Sequence, residues 1–225
     1  MLNKKPILSD LSPKATFIAY NYKNKKDVNK FEREAYRVLH EVEKECGWMY
    51  ETDHIPRDDE ERSVQMDSFN ETGTIKGKIN FTVWSDVFIC PFCGQDIVFY
   101  NAAVDKESGS VNKEFPCTHC NAVMKKTDCK RKMHTFFDEA IGENVTQAVQ
   151  VPVLINYTVK KKRYQKLPDE NDLELIEKIN KSKIPYWYPV DRMPEGDESR
   201  RNDKLGLTHV HHFYTKRNLC VLGCV

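Results

Sequence analysis

The chain has 225 residues, 40% of them hydrophobic and 31% charged, which allows one large or two small domains with a core. Lys plus Arg number 35 against 34 for Asp plus Glu, a net charge near +1, so any contact with nucleic acid must come from local basic patches. No apolar run reaches the roughly 18 residues of a membrane span, and "MLNKKPILSD" has too short an apolar stretch for a secretory signal; a cytoplasmic protein is expected, with its eight cysteines as thiols or metal ligands.

"KPILS" (5–9) reads as a short buried strand ending at Asp10. "LSP" follows as a turn and helix start, with Pro13 near the first helical position, and "ATFIAYNYK" continues as helix. Asp27 is placed to cap a second helix. Its apolar residues Val28, Phe31, Ala35, Val38, Leu39, Val42 and Cys46 recur at three- and four-residue steps and form one stripe. Residues 52–74 are polar, acidic and unpatterned, which predicts a surface loop. "KINFTVWSDVFIC" then opens a strand-rich module of β-branched and aromatic residues alternating with polar ones.

Two C-x-x-C pairs lie in this module: Cys90 with Cys93, and Cys117 with Cys120. A C-x-x-C bend brings two thiolates to one side, and two bends supply four sulfurs for a tetrahedral ion. Gly94 and Asn121 follow the second cysteine of each pair, and both residue types tolerate the left-handed backbone such knuckles require. The spacing therefore predicts a closed, structural zinc ribbon, with a redox pair or a four-cysteine iron site as rival readings. Cys46 lies on an apolar helix stripe and reads as a small buried hydrophobe. Cys129, within "KKTDCKRK", reads as an ordinary surface thiol. Cys220 and Cys224 have no ligand-spaced partner.

"VPVLINYTV" predicts another strand that turns at the basic segment after it. "LPDENDLELIEKINK" predicts a helix with Leu173, Ile176 and Ile179 on one face. A Pro-rich, aromatic stretch follows, and a terminal helix is expected from about Tyr214 or Thr215. His209, His211 and His212 crowd into "THVHHFY"; with no third ligand nearby in sequence they read as structural. Two basic runs offer phosphate contacts or simply a solvated face: Lys125, Lys126, Lys130, Arg131 and Lys132, and Lys160, Lys161, Lys162, Arg163 and Lys166. Asp10, an acid between a short strand and a helix, reads as a ribose-binding acid or as a helix cap.

The strings "ILSDLSPKATFIAYNY", "GWMYET", "GKINFTVWSDVFICPFCG", "VPVLINYTVKKKRY", "WYP" and "GLTHVHHFYTKRNL", in that order, resemble the zinc-containing bacterial DNA methyltransferases of the amino-methylating type. The resemblance covers nearly the whole chain. It implies methyl transfer from S-adenosylmethionine to a base amine, adenine N6 more than cytosine N4, and DNA as partner. It also implies Asp10 as the acid for the cofactor's ribose, and Cys90, Cys93, Cys117 and Cys120 as ligands of a structural Zn2+. The family's D-P-F-x-G-x-G loop and (D/N)-P-P-(Y/F) motif are absent from these residues. No residue can therefore be given the catalytic role, and the chain is expected to be an internal segment, inactive alone.

The expected fold is mixed α+β, a partial α/β methyltransferase sheet interrupted by an antiparallel zinc-ribbon insert. Residues 1–50 would belong to the cofactor-binding fold, 51–74 to a loop and 75–160 to the insert. Residues 161–204 would form a helix and Pro-rich linker, and 205–225 the return to the methyltransferase fold. Exposed apolar faces on the outer pieces imply poor solubility or pairing with a complementing chain. A non-enzymatic zinc-ribbon module binding DNA or a protein stays open as the alternative function, and a small redox or iron protein as a third.

Overall fold

The computed structural model describes residues 7, 9–24, 26–55 and 75–225. They divide into two units, Met1–Glu45 with Val225, and Cys46–Cys224. Most of the expected strand at 5–9, and the loop from 56 to 74, lie outside the described residues.

The first unit carries two helices. α1 (Pro13–Lys23) begins with its proline at the first position, as expected, and none of its residues is buried. α2 (Val28–Cys46) is capped by Asp27, whose carboxylate accepts the Lys30 N–H at 3.1 Å. That bond satisfies one of the donors a helix start leaves unpaired. The stripe of α2 is only partly covered. Val42 and Cys46 are buried, whereas Val28, Phe31 and Leu39 are exposed.

The second unit is mixed α/β, and each of its described strand pairings is antiparallel. A 3-10 turn at Gly47–Tyr50 leads into β1 (Glu51–Asp53), so the polar segment opens on a short strand rather than a loop. β2 (Lys76–Ile89) is the long central strand. β3 (Asp96–Val98), α3 (Phe99–Ala103), β4 (Glu114–Pro116), β5 (Val123–Lys125) and β6 (Lys130–Arg131) build the cysteine-bearing portion. β7 (Met133–Asp138) and β8 (Glu143–Ala148) form a hairpin. β9 (Gln150–Val159) and β10 (Lys162–Lys166) form a second. α4 (Glu170–Lys181), α5 (Asp197–Asp203), a 3-10 turn at Val210–Phe213 and α6 (Lys216–Cys224) complete the order.

The main sheet runs β1-β2-β9-β10, with β3 and β6 also paired to β2. It thus extends beyond residues 75–160 at both ends. β2 changes register against β9 between Ile79 and Phe81 and again between Val83 and Trp84. Such bulges increase twist and re-aim a strand. The first part of β2 packs Ile79 with Ile155, Tyr157 and Tyr164. Its last residues pair with β3 and β6 and deliver Cys90 at the strand's end. A separate small core gathers Ile97, Ala103, Phe115 and Met124 around Cys90 and Cys117.

Within α4 the predicted face is only partly buried: Ile179 is enclosed, but Leu173 is exposed. Asp169 caps this helix, its carboxylate accepting the Asp172 N–H at 3.0 Å. Among the described residues, no helix is long and apolar enough to cross a membrane.

Candidate metal centre

The two C-x-x-C bends have matching backbone hydrogen bonds. Gly94 N–H donates to Cys90 O and Asn121 N–H to Cys117 O, both at 3.0 Å. Cys90 N–H donates to Gln95 O and Cys117 N–H to Ala122 O, both at 2.9 Å. Each bend closes through a left-handed residue, Gly94 at φ 72° and Asn121 at φ 59°, the two positions singled out by residue type. β4 and β5 hold the second bend between paired strands, while β2 and β3 hold the first.

These bends bring Cys90, Cys93, Cys117 and Cys120 together, with all four sulfurs within 4.8 Å of one another. Cys90 Sγ lies 3.8 Å from Cys120 Sγ, and Cys93 Sγ lies 3.8 Å from Cys117 Sγ. A tetrahedron of sulfurs around an ion with bonds of ~2.3 Å has edges of about 3.8 Å. A disulfide needs about 2.05 Å, so the separations fit ligands of one ion and not bonded pairs. Cys90 and Cys117 are buried, and Cys93 and Cys120 lie on the solvent side.

The electrostatics agree with that arrangement. Burial raises the Cys90 thiol, but the amide N–H groups of Cys93 and Phe92 outweigh it and bring the pKa down to about 7. At Cys93 the Gln95 amide acts to lower the value. Burial and hydrogen bonds with the other three thiols outweigh that and push it up to about 12. The Cys117 thiol is lowered as well, by the amide N–H groups of Cys120 and His119, so the two buried cysteines favour the thiolate while a further negative charge at Cys93 is resisted. A cation at the centre would remove that resistance. Four sulfurs around one ion leave no open coordination position, so the cluster is suited to holding structure rather than activating water.

Other sequence-predicted residues are placed differently. Asp10 is exposed, and its carboxylate accepts the Ser12 N–H at 2.8 Å just before α1, a local turn interaction of the capping kind. Cys46 is buried, as expected, and its thiol is hydrogen-bonded to those of Cys220 and Cys224. Cys129 is no ordinary surface thiol. It is half-buried against the small core, with its sulfur 3.3 Å from Met124 Sδ.

The two basic runs also separate. In the first, Arg131 pairs with Asp86 at 3.1 Å, Lys125 with Glu114 at 3.5 Å, and Lys132 with Asp96. Lys126 lies 4.3 Å over the Phe99 ring. In the second, Lys166 is buried and paired with Asp169 and Asp172, while Lys160, Lys161 and Arg163 stand exposed at the β9–β10 tip.

The histidines acquire a partner that sequence reasoning missed. Asp138 Oδ2 lies 2.8 Å from His211 Nε2 and 2.9 Å from His212 Nε2. Its other oxygen accepts the Ala140 N–H at 2.9 Å. These three ligand-type atoms are close enough to surround an ion, but the tautomer argues otherwise. Backbone N–H groups of Thr208 and His209 point at His212 Nδ1, at 3.3 and 3.4 Å. Nδ1 is then the acceptor, so Nε2 carries the proton and donates to Asp138. The cluster is a hydrogen-bonded clamp between the β7–β8 hairpin and the 210–213 turn. Nothing local in the sequence around Asp138 signals it.

No protein family, curated protein or solved structure matches this chain.

Proposed function

We propose that the chain is the zinc-stapled, DNA-contacting segment of an amino-methylating DNA methyltransferase and performs no methyl transfer by itself. The single observation carrying the metal part is the gathering of four sulfurs within 4.8 Å of one another, with two opposite edges at 3.8 Å, the edge length of a closed Zn–S4 tetrahedron. Zinc is favoured because four thiolates in a site without an open position suit a structural role. The ordered strings that resemble the family support the enzyme class. The exposed cations at the β9–β10 tip support contact with DNA phosphates. Asp10 would meet the ribose of S-adenosylmethionine only after giving up its turn bond to Ser12, so cofactor binding by this chain alone should be weak.

A second reading, a free-standing zinc module that binds DNA, is favoured by one feature. Each described strand pairing is antiparallel, whereas an open nucleotide-binding sheet is mostly parallel. Elemental analysis of the purified chain tests the common part: about one zinc per chain is expected, while iron with visible absorbance would replace the zinc assignment. Supplying a chain with the Gly-rich loop and the (D/N)-P-P-(Y/F) motif separates the readings. Labelled-methyl transfer to DNA only when both chains are present supports the methyltransferase segment. Transfer by this chain alone would overturn the inactive assignment, and no transfer with the partner supports the free-standing module.

A further inference from the structure

The first unit encloses little of its apolar surface. α1 buries no residue. Along the stripe of α2, Val28, Phe31 and Leu39 are 70%, 71% and 59% exposed. Ala35 and Val38 are half-buried, and burial is complete only at Val42 and Cys46. An amphipathic helix draws most of its stability from whatever covers its apolar face. The stretch from Val28 to Leu39 therefore calls for an occupant.

The borders of the stripe say what kind. At 3.6 residues per turn, Glu32 and Glu43 fall along one border, and Glu34, Glu41 and Glu45 along the other. The cations Lys30, Arg33, Arg37 and Lys44 fall on the face opposite. Arg37 reaches round to Glu34 at 2.8 Å and Glu41 at 2.9 Å, but these are solvated pairs that a competing cation displaces readily. Both borders of the apolar stripe are thus acidic. A second copy of α2, laid parallel or antiparallel, would set acid against acid, and border charges of one sign select against such a pair. An anionic membrane is disfavoured for the same reason, since helices that lie on one carry Lys and Arg on the polar face. A helix whose own apolar stripe is bordered by Lys and Arg matches both the stripe and its borders.

We propose that α2 docks an amphipathic helix of a partner protein, with apolar side chains seated along Val28, Phe31, Ala35 and Leu39 and basic ones against the glutamates on either side. The surface lies in the first unit. It needs neither the cysteine-bound ion nor S-adenosylmethionine, so its failure would leave the methyltransferase reading untouched.

The test titrates the metal-loaded full chain with two labelled helical peptides. Both carry the same leucine stripe at three- and four-residue steps; one is bordered by Lys, the other by Glu. Fluorescence anisotropy reports binding, and sedimentation velocity of the chain alone reports self-association. The Lys-bordered peptide should bind at least about tenfold tighter than the Glu-bordered one, and should weaken as salt rises. Phe31→Asp with Leu39→Asp should weaken it by about tenfold or more, the scale of an anchor lost from an interface centre. Glu32→Lys with Glu34→Lys should reverse the preference between the peptides, which a merely adhesive apolar face would not do. Circular dichroism checks that the variants keep the parent's helix; should the aspartates melt α2, the charge reversal decides alone. The proposal is overturned if neither peptide binds, if both bind alike, or if the charge-reversed protein keeps the parent's preference. A dimer abolished by Phe31→Asp with Leu39→Asp would assign the stripe to a second copy instead. Binding to phosphatidylglycerol vesicles that the same variant abolishes would assign it to a membrane.

Discussion

Lys166 and Asp172 form an ion pair of 2.8 Å with both side chains almost wholly enclosed, 3% and 2% exposed. Asp172 also accepts from Thr52 Oγ1 at 2.5 Å and from the Asp169 N–H at 3.0 Å. The pair therefore ties β1, β10 and the start of α4 together. Removing one partner leaves a buried charge uncompensated, whereas removing both leaves an apolar interior. Lys166→Met should destabilise the protein by about 3–5 kcal/mol, while Lys166→Met with Asp172→Leu and Thr52→Val, which also removes the hydroxyl that Asp172 accepts from, should recover most of it. The residual loss is then the cap, about 1 kcal/mol. Urea unfolding of the three proteins measures this; equal losses in single and triple variants would contradict it.

Any of Cys90→Ser, Cys93→Ser, Cys117→Ser or Cys120→Ser should abolish stoichiometric metal binding. Chelation should loosen residues 90–131, whose own core rests on few side chains such as Ile97, Phe115 and Met124. Metal contributes on the order of 10 kcal/mol in isolated modules of this kind. Limited proteolysis should then cut within 90–131 and spare β9 and β10. A cobalt-loaded protein should show the strong near-ultraviolet sulfur-to-metal band, absent in each variant.

In the first basic run Arg131, Lys132, Lys125 and Lys126 are engaged by Asp86, Asp96, Glu114 and the Phe99 ring, so the DNA contact proposed above should depend on the second. Lys160→Asn with Lys161→Gln is the informative variant. Lys160 sits in the left-handed region at φ 55°, which asparagine adopts more readily, so the change removes charge without burdening the turn. DNA binding should weaken, and the slope of log K against log salt should fall by about 1 for each phosphate no longer neutralised. Arg131→Gln should instead lower stability with little change in that slope.

Gly206→Ala should be severely destabilising. Gly206 has φ +77°, and an added Cβ would lie 2.0 Å from the Thr146 carbonyl oxygen. The obstacle is backbone, which cannot swing aside as a side-chain end can. A loss above about 3 kcal/mol is expected, in the range of strained backbone positions with a clash. A melting temperature unchanged within error would show that this approach does not persist in solution.

Acid stability should depend on Asp138. Burial alone would raise its carboxyl, but the bonds from His211, His212 and the Ala140 N–H outweigh that and hold it below the usual range. A depressed folded value means the contribution is complete above the unfolded value of about 3.9 and disappears as pH falls through the folded one. The stability difference between the parent and Asp138→Asn should therefore be flat above about pH 5 and shrink below about pH 4. Denaturant titrations across that range decide it.

Much of this structure is written locally. Cys90, Cys93, Cys117 and Cys120 declare themselves by spacing, and Gly94 and Asn121 by their tolerance of positive φ. Asp27 marks the start of α2, Pro13 that of α1, and the β-branched run at 151–159 marks β9. Each of these signals acts over a few residues, through a backbone angle, a cap or an alternation. The methyltransferase reading proposed above likewise rests on short strings, and the catalytic motifs it calls for are not among them.

What the folded chain alone decided are meetings between distant residues. Asp138 joins histidines more than seventy positions away, and Lys166, one of a run of like cations in sequence, becomes the buried partner of Asp172. Which cations of the basic runs are paired depends on acids brought in by neighbouring strands, and the stripe of α2 is buried at Val42 and Cys46 but exposed at Val28, Phe31 and Leu39. Periodicity and residue type fix what a short segment prefers. Desolvation and pairing are set by whatever the fold lays against it, so charge state and exposure emerge only in three dimensions.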